Sequence, residues 1–331
     1  MHYEVVVAGH VCLDIIPAFE HQSPLAPGTL VKVGPPTLAT GGAVSNTGSA
    51  LHRLGIKTKL MGKVGDDLFG RAVLDLLRPI NAEGMVVAPG ETTSYSVVIN
   101  QPGRDRTFLH CTGANDTVTA DDVDEAALSG VRLLHFGYPT LMRSIYQDGG
   151  AEMVAIFRKA KKLGLTTSLD MSLPDPSSEA GRVDWISWLK HVLPVVDIFL
   201  PSLDETRSML GNQAPSALLR VLHEFGAQIV GLKMGSQGLR VLWQGCELSA
   251  PCFAVEVVGT IGSGDCTIAG FLAGFLRGLP PADVVDMACA VGACCCEAAD
   301  ATSGVRSWDE TRGRMARGWE RLSSTGKEYT R

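Results

Sequence analysis

A chain of 331 residues with 45% hydrophobic and only 19% charged side chains has material for a large core, which excludes a disordered segment. The formal charge of −6 and the scatter of the 29 lysines and arginines leave no electrostatic footprint for nucleic acid or an anionic membrane. No apolar run reaches the ~18 residues of a membrane helix and no basic stretch precedes the first apolar run, so neither a membrane span nor a signal peptide is expected; small-molecule chemistry in the cytoplasm is.

The first β-branched run, 3–8, reads as a buried strand. Asp14 follows Gly9 by five residues. A carboxylate at the carboxyl end of a parallel strand lies where open α/β sheets bind ligands and can accept two sugar hydroxyls; a turn aspartate is the plain alternative. Residues 30–40 break the rhythm, and then Gly41-Gly42 lead into a helical pattern over 45–54 whose early turn projects Asn46. Glycines there allow close backbone approach to a polyol, and the Asn amide both donates and accepts; a strand-to-helix turn capped by Asn reads equally well. A strand over 58–62 and a helix over 70–77 follow.

Residues 92–111 depart again: 93–100, a turn Gln101-Pro-Gly-Arg-Asp105 and 106–109 read as a β-hairpin, an excursion suited to a lid. Strands at 133–136, 166–170, 198–201, 229–233 and 240–243 then alternate with helical patterns at 149–163, 216–225 and 283–299. Such alternation predicts a parallel sheet covered by helices on both faces. The Pro/Ser-rich patch 172–178 is short enough to be a loop, no linker or repeat divides the chain, and the polar tail after Trp319 is expected to fray. The nine cysteines form no C-x-x-C pair or zinc spacing and read as small buried side chains in a reducing compartment.

The most informative segment is Val255-Glu-Val-Val-Gly-Thr-Ile-Gly-Ser-Gly-Asp265, followed at once by an apolar helical stretch over 266–276. Glycines at 259, 262 and 264 let the backbone turn tightly, so that N–H groups around Gly262, Ser263 and Gly264 converge at a helix N-terminus, which attracts anions. An N-cap by Ser263 or Asp265 is the alternative. In Ser202-Leu-Asp-Glu205, Glu205 has the chemistry to hold a water-coordinated Mg²⁺, or it is an acidic first-turn residue favoured by the helix dipole.

In order along the chain, the glycine pair with Asn46, the block Gly62-Lys-Val-Gly-Asp-Asp-Leu-Phe-Gly70 and the turn Gly259 to Asp265 resemble the PfkB family of ribokinase-like carbohydrate kinases. The resemblance implies one three-layer α/β/α domain with a small β lid, its strands from about 13–40 and 92–113, and transfer of the ATP γ-phosphoryl group to a hydroxyl of a sugar or sugar-like molecule. It makes Asp265 the catalytic base, Gly262, Ser263 and Gly264 the anion pocket, and Asp14, Gly41, Gly42 and Asn46 the substrate contacts. Lys233, Gly235, Ser236, Gly238 and Gly264 would face the nucleotide, Glu205 would hold Mg²⁺ through water, and two copies would pair through their lids.

Departures narrow the reading. Gly259 stands where Asp usually begins the family turn, which removes a side-chain ligand of the monovalent-cation site and argues against potassium activation. Ser202 replaces a common Asn before Glu205. Ala43 replaces the lysine of ribokinases, and Asp170-Met-Ser-Leu lacks an arginine of several hexose and keto-acid kinases, so no particular sugar is implied. A nucleoside kinase of the same family, with Phe19, Tyr95, Phe108 or Tyr138 as lid aromatics stacking a base, and a non-catalytic sugar or nucleotide sensor are the alternatives.

Overall fold

In the computed structural model, residues 3–104 and 106–322 are described. Strand β1 (Val5–Gly9) leads into β2 (Cys12–Ala18) and β3 (Gly34–Gly41); after the helix Ala43–Arg53 come β4 (Thr58–Met61) and β5 (Lys63–Gly65). The helix Leu68–Leu77 is followed by β6 (Val86–Ala88), β7 (Tyr95–Ile99) and β8 (Thr107–Cys111). The second half runs β9 (Leu133–Gly137), the helix Ala151–Lys162, β10 (Thr166–Leu169), the helix Trp185–Val192 and β11 (Ile198–Phe199). Helices Leu203–Leu210 and Pro215–Glu224, strands β12 (Ile229–Lys233), β13 (Leu239–Trp243) and β14 (Cys246–Ala250), and the long helices Ser263–Leu276 and Pro281–Cys295 complete the site-bearing part.

An eight-stranded sheet in the order β14-β13-β12-β11-β10-β9-β1-β4 forms the middle layer. Side chains alternate across it with the period of two that a strand imposes. Val5 and Val7 enter one apolar core with the two long C-terminal helices, whereas Val6 and Ala8 enter the other with the helices Ala151–Lys162 and Trp185–Val192. Both faces are therefore covered, which is why β1 is apolar throughout, while β9 and β10 bury His135, Thr167 and Ser168 as well. The expected parallel arrangement holds from β4 to β12 and fails at one edge, where β13 and β14 run antiparallel. Gln244 and Gly245, at φ 51° and 75°, make the tight turn between those two strands.

Helix boundaries shift for local reasons. The helix predicted over 149–163 begins at Ala151, because Gly149 and Gly150 take positive φ. The helix predicted over 283–299 stops at Cys295; the Cys296 carbonyl instead accepts from Val258 N and Gly259 N at 2.8 and 3.2 Å, tying the helix end to the glycine turn.

A second sheet, β3-β2-β7-β8, is built from the segments that break the α/β rhythm. Asp105 of its hairpin turn and the tail beyond residue 322 lie outside the described residues. Among the described residues no helix is long and apolar enough to cross a membrane.

Candidate active site

Parallel strands end along one edge of a sheet, and α/β sheets bind ligands at that edge. His10 follows β1, Tyr138 follows β9, Asp170 follows β10 and Lys233 ends β12, so the topology gathers four polar side chains there. The helix beginning at Ala43 has Gly42 as its N-cap, at φ 87°, and starts two residues earlier than predicted. Its first turns present Asn46 and Thr47 to Asp265, in the first turn of Ser263–Leu276.

Asp265 is 2% exposed. Asn46 Nδ2 donates to its Oδ2 at 3.0 Å and Thr47 Oγ1 to its Oδ1 at 3.4 Å. The Tyr138 hydroxyl donates to both oxygens, at 2.9 and 2.8 Å. Burial raises the Asp265 carboxyl above the ordinary carboxylate range, against the pull of Lys233 and of these donors. Tyr138 reaches this position from left-handed backbone, φ 65° and ψ 46°, a conformation costing on the order of 1–3 kcal/mol for a non-glycine residue. It belongs to the main sheet's edge and not to the lid, which corrects its grouping with Phe19, Tyr95 and Phe108.

The glycine turn divides its labour. Gly262 adopts φ 69° as N-cap, and a Cβ there would collide with the Ala301 carbonyl. Ser263 Oγ donates back to Thr260 O at 3.0 Å. A Cβ at Gly264 would instead lie 3.6 Å from Lys233 Nζ, in ordinary contact, so the space it leaves faces an ammonium group. The first-turn N–H groups have no carbonyl earlier in the helix to bond, and they add positive potential to the same place.

Lys233 pairs with Asp170 at 2.7 Å, and the second Asp170 oxygen is buried without a partner among the described residues. Burial drives Asp170 upward while Lys233 opposes it; burial would lower Lys233, but Asp170, Glu205 and Asp265 hold it above its ordinary value. Glu205 lies in the first turn of Leu203–Leu210. Its Oε2 accepts from Ser202 N at 2.6 Å and its own N donates to Ser202 Oγ at 3.1 Å, a capping box, while its charge still reaches Lys233.

On the lid side, Cβ atoms at Gly41 and Gly42 would collide with the Asp14 carboxylate and with His10, so the glycine pair is what lets those groups approach. Cys12 Sγ donates to Asp14 Oδ1 at 3.4 Å. His110 joins Ser96 at 3.0 Å and His10 at 3.3 Å, linking the lid to the main sheet. Burial lowers both imidazoles, keeping them neutral near pH 7. His10 Nδ1 and Asn46 Oδ1 are buried and unpartnered. Arg106 Nη2 donates to Thr260 Oγ1 at 3.2 Å, a second lid contact, onto the glycine turn itself.

Gly235 and Ser236 lie exposed on the β12–β13 turn, and Gly238, at φ 88°, is required because a Cβ would strike the Ala250 carbonyl. Sequence reasoning singled out neither His10, His110 nor Thr47, and gave Tyr138 another role. The available signal was position: His10 and Tyr138 each follow the last residue of a buried parallel strand.

Positive potential at a helix N-terminus beside a buried carboxylate is what phosphoryl transfer to a hydroxyl requires, and the fold and site together are those of a small-molecule kinase. Residues 3–308 match the pfkB family of carbohydrate kinases, and the chain belongs to that family. It is 29% identical over 275 residues to the 2-dehydro-3-deoxygluconokinase of Thermoproteus tenax, covering 81% of this chain and 83% of that one. With fructokinase-2 of Oryza sativa subsp. japonica it shares 28% over 276 residues, 81% and 78% of the two chains. The ribokinase of Thermotoga maritima has the same fold, with a TM-score of 0.78 at 17% identity over 95% of this chain and 99% of that one. So does the Arabidopsis thaliana ribokinase complexed with ribose and ATP, at 0.78 and 19%, over 95% and 98%. The reaction is therefore ATP-dependent phosphorylation of a hydroxyl on a sugar or sugar-like molecule.

Proposed function

We propose that Asp265 is the base of this reaction and that the acceptor is a neutral polyhydroxylated molecule. The observation that carries the reading is a buried carboxylate in the first turn of the helix whose glycine turn opens toward Lys233. As the acceptor oxygen bonds to the γ-phosphorus, the bond to the bridging oxygen breaks, ADP leaves with the electron pair, and the hydroxyl proton passes to Asp265. The N–H groups around Gly262, Ser263 and Gly264, with Lys233, neutralise the charge on the transferred group. Gly235, Ser236 and Gly238 lie along the nucleotide's path.

Mg²⁺ fits the donor set: Asp170 has an unpaired oxygen and the Glu205 charge acts on the same Lys233, while no described group of three or more His, Cys, Asp or Glu could cage an ion. Glu205 would hold the ion through water, and the ion would neutralise triphosphate charge. Gly259 offers no carboxylate to a monovalent cation, and turnover without potassium is expected.

Asp14, neutral His10 and His110, and the unpaired acceptors on His10 and Asn46 suit hydroxyl donors and would repel or leave unmatched an acidic sugar. A polyol is favoured over a nucleoside, since Tyr95 packs edge-on against Phe69 at 5.4 Å and the Tyr138 hydroxyl is committed to Asp265. The test is turnover of MgATP with neutral pentoses and hexoses, keto-deoxy acids and nucleosides. Transfer to a neutral sugar that is lost in Asp265→Asn supports the reading; transfer confined to an acid or a nucleoside overturns the acceptor class. Tight sugar binding without transfer would favour a sensor.

The glycine turn separates shape from chemistry. Gly264→Ala should keep or slightly raise the Tm, as Gly→Ala does in a helix by up to about 1 kcal/mol, yet lower kcat/KM for ATP by about tenfold or more. Gly262→Ala should lower the Tm itself. Melting curves beside ATP kinetics separate the two.

The lid sheet leaves β3 and β8 as unpaired edges, with Leu38, Phe108 and Leu109 exposed, which supports a homodimer through the lid. Sedimentation at micromolar concentration should give twice the 35.1 kDa chain mass, and a monomer overturns it.

A further inference from the structure

Tyr138 spends backbone strain to centre one hydroxyl on both oxygens of Asp265. The neighbours that keep it there are rigid: Gly137 pairs in register with Gly9 at the end of β1, and Thr140 Oγ1 donates to Ser172 O at 2.9 Å just beyond. With Asn46 on one oxygen and Thr47 on the other, the carboxylate is met by three donors, and the single phenol hydrogen is the one shared between both oxygens. The phenol oxygen, 2.9 and 2.8 Å from the two carboxylate oxygens, stands where a hydroxyl facing both would have to stand. Asn46 and Thr47 belong to a helix turn; the phenol is held only through its ring and the Tyr138 backbone.

We propose that Tyr138 is a specificity-determining plug, whose hydroxyl occupies the acceptor's place on Asp265 and yields it to a sugar hydroxyl but not to water. A polyol that displaces the phenol gains bonds for its other hydroxyls at the unpaired His10 Nδ1 and Asn46 Oδ1, which offset the lost contact. A water molecule that took the phenol's place brings no further hydroxyls to those atoms. The step suppressed is ATP hydrolysis: a water oxygen bonds to the γ-phosphorus, the bond to the bridging oxygen breaks, ADP leaves with the electron pair, and a water proton goes to Asp265. A kinase with an open base would lose ATP this way whenever its sugar was scarce.

The inference rests on Asp265 as the base, and the two readings fail differently. The experiment measures ADP release from MgATP alone, without acceptor, by the wild type, by Tyr138→Phe and by the Asp265→Asn/Tyr138→Phe pair. Tyr138→Phe is expected to hydrolyse ATP about 10- to 100-fold faster than wild type, an increase abolished in the pair. In the presence of the sugar found by the acceptor panel, its KM for that sugar should fall. Unchanged hydrolysis in a wild-type-stable Tyr138→Phe overturns the plug, and so does a raised KM, which would make Tyr138 an acceptor ligand. Transfer that survives Asp265→Asn overturns the base and leaves the plug with nothing to guard.

Discussion

Asp265→Asn is expected to lower kcat by about 10²- to 10⁴-fold while changing KM for ATP by less than about threefold. The substitution preserves shape but not polarity. Four donor contacts from Asn46, Thr47 and Tyr138 converge on the two carboxylate oxygens, and an amide nitrogen in one position would face donors with a donor. The amide also cannot take the acceptor's proton. The pH profile supplies an independent reading. A base acts only when deprotonated, so activity rises as pH climbs through its pKa; since burial raises Asp265, the acid limb of kcat/KM should lie above the ordinary aspartate value of about 3.9. Tyr138→Phe removes a donor that stabilises the charged form and should move that limb to still higher pH. Residual turnover by Asp265→Asn should lack the limb. Steady-state kinetics from pH 5 to 9 check both points, and a wild-type acid limb unaltered in the Asn variant would remove Asp265 from the chemistry.

The parts of this site that could be read in the sequence are those encoded by contiguous residues. A turn rich in glycine that opens an apolar helix is local, and so is a strand such as Val5–Gly9, whose side chains are apolar on both faces because helices cover both. The contacts between parts are not local. Tyr138 and Asp265 are 127 residues apart, and they meet because β9 lies beside β1 while the helix Ser263–Leu276 packs against Ala43–Arg53; neither fact has a signature around residue 138. Asp170 and Lys233 likewise meet because β10 and β12 flank β11 in one parallel sheet. Two features were legible and under-read. Ser202 and Glu205 have the spacing of a capping box, which the structure forms, and the glycines at 235 and 238 between two apolar runs signal the hairpin that turns β13 antiparallel to β12.

Lys233→Met should cost both rate and stability, and the two losses can be separated. The ammonium faces the space left open by Gly264, so removing it should lower kcat/KM for ATP by about 10²- to 10³-fold through lost stabilisation of the transferred phosphoryl group. It also strands Asp170, whose side chain is 1% exposed, and breaking a buried pair from one side costs about 3–5 kcal/mol if the remaining group stays charged. Asp170 escapes part of that cost by taking a proton. Burial already raises it to about 8, and without Lys233 its folded pKa rises further, so the deficit relative to wild type grows as pH climbs above about 8 toward the variant's folded pKa. Urea unfolding should therefore show a larger deficit at pH 9 than at pH 7. Asp170→Asn/Lys233→Met removes the stranded charge and should recover most of the stability at both pH values without recovering rate. A double variant that regains turnover would make Lys233 a partner for Asp170 and nothing more; one that is stable and slow assigns the lysine to the phosphoryl group.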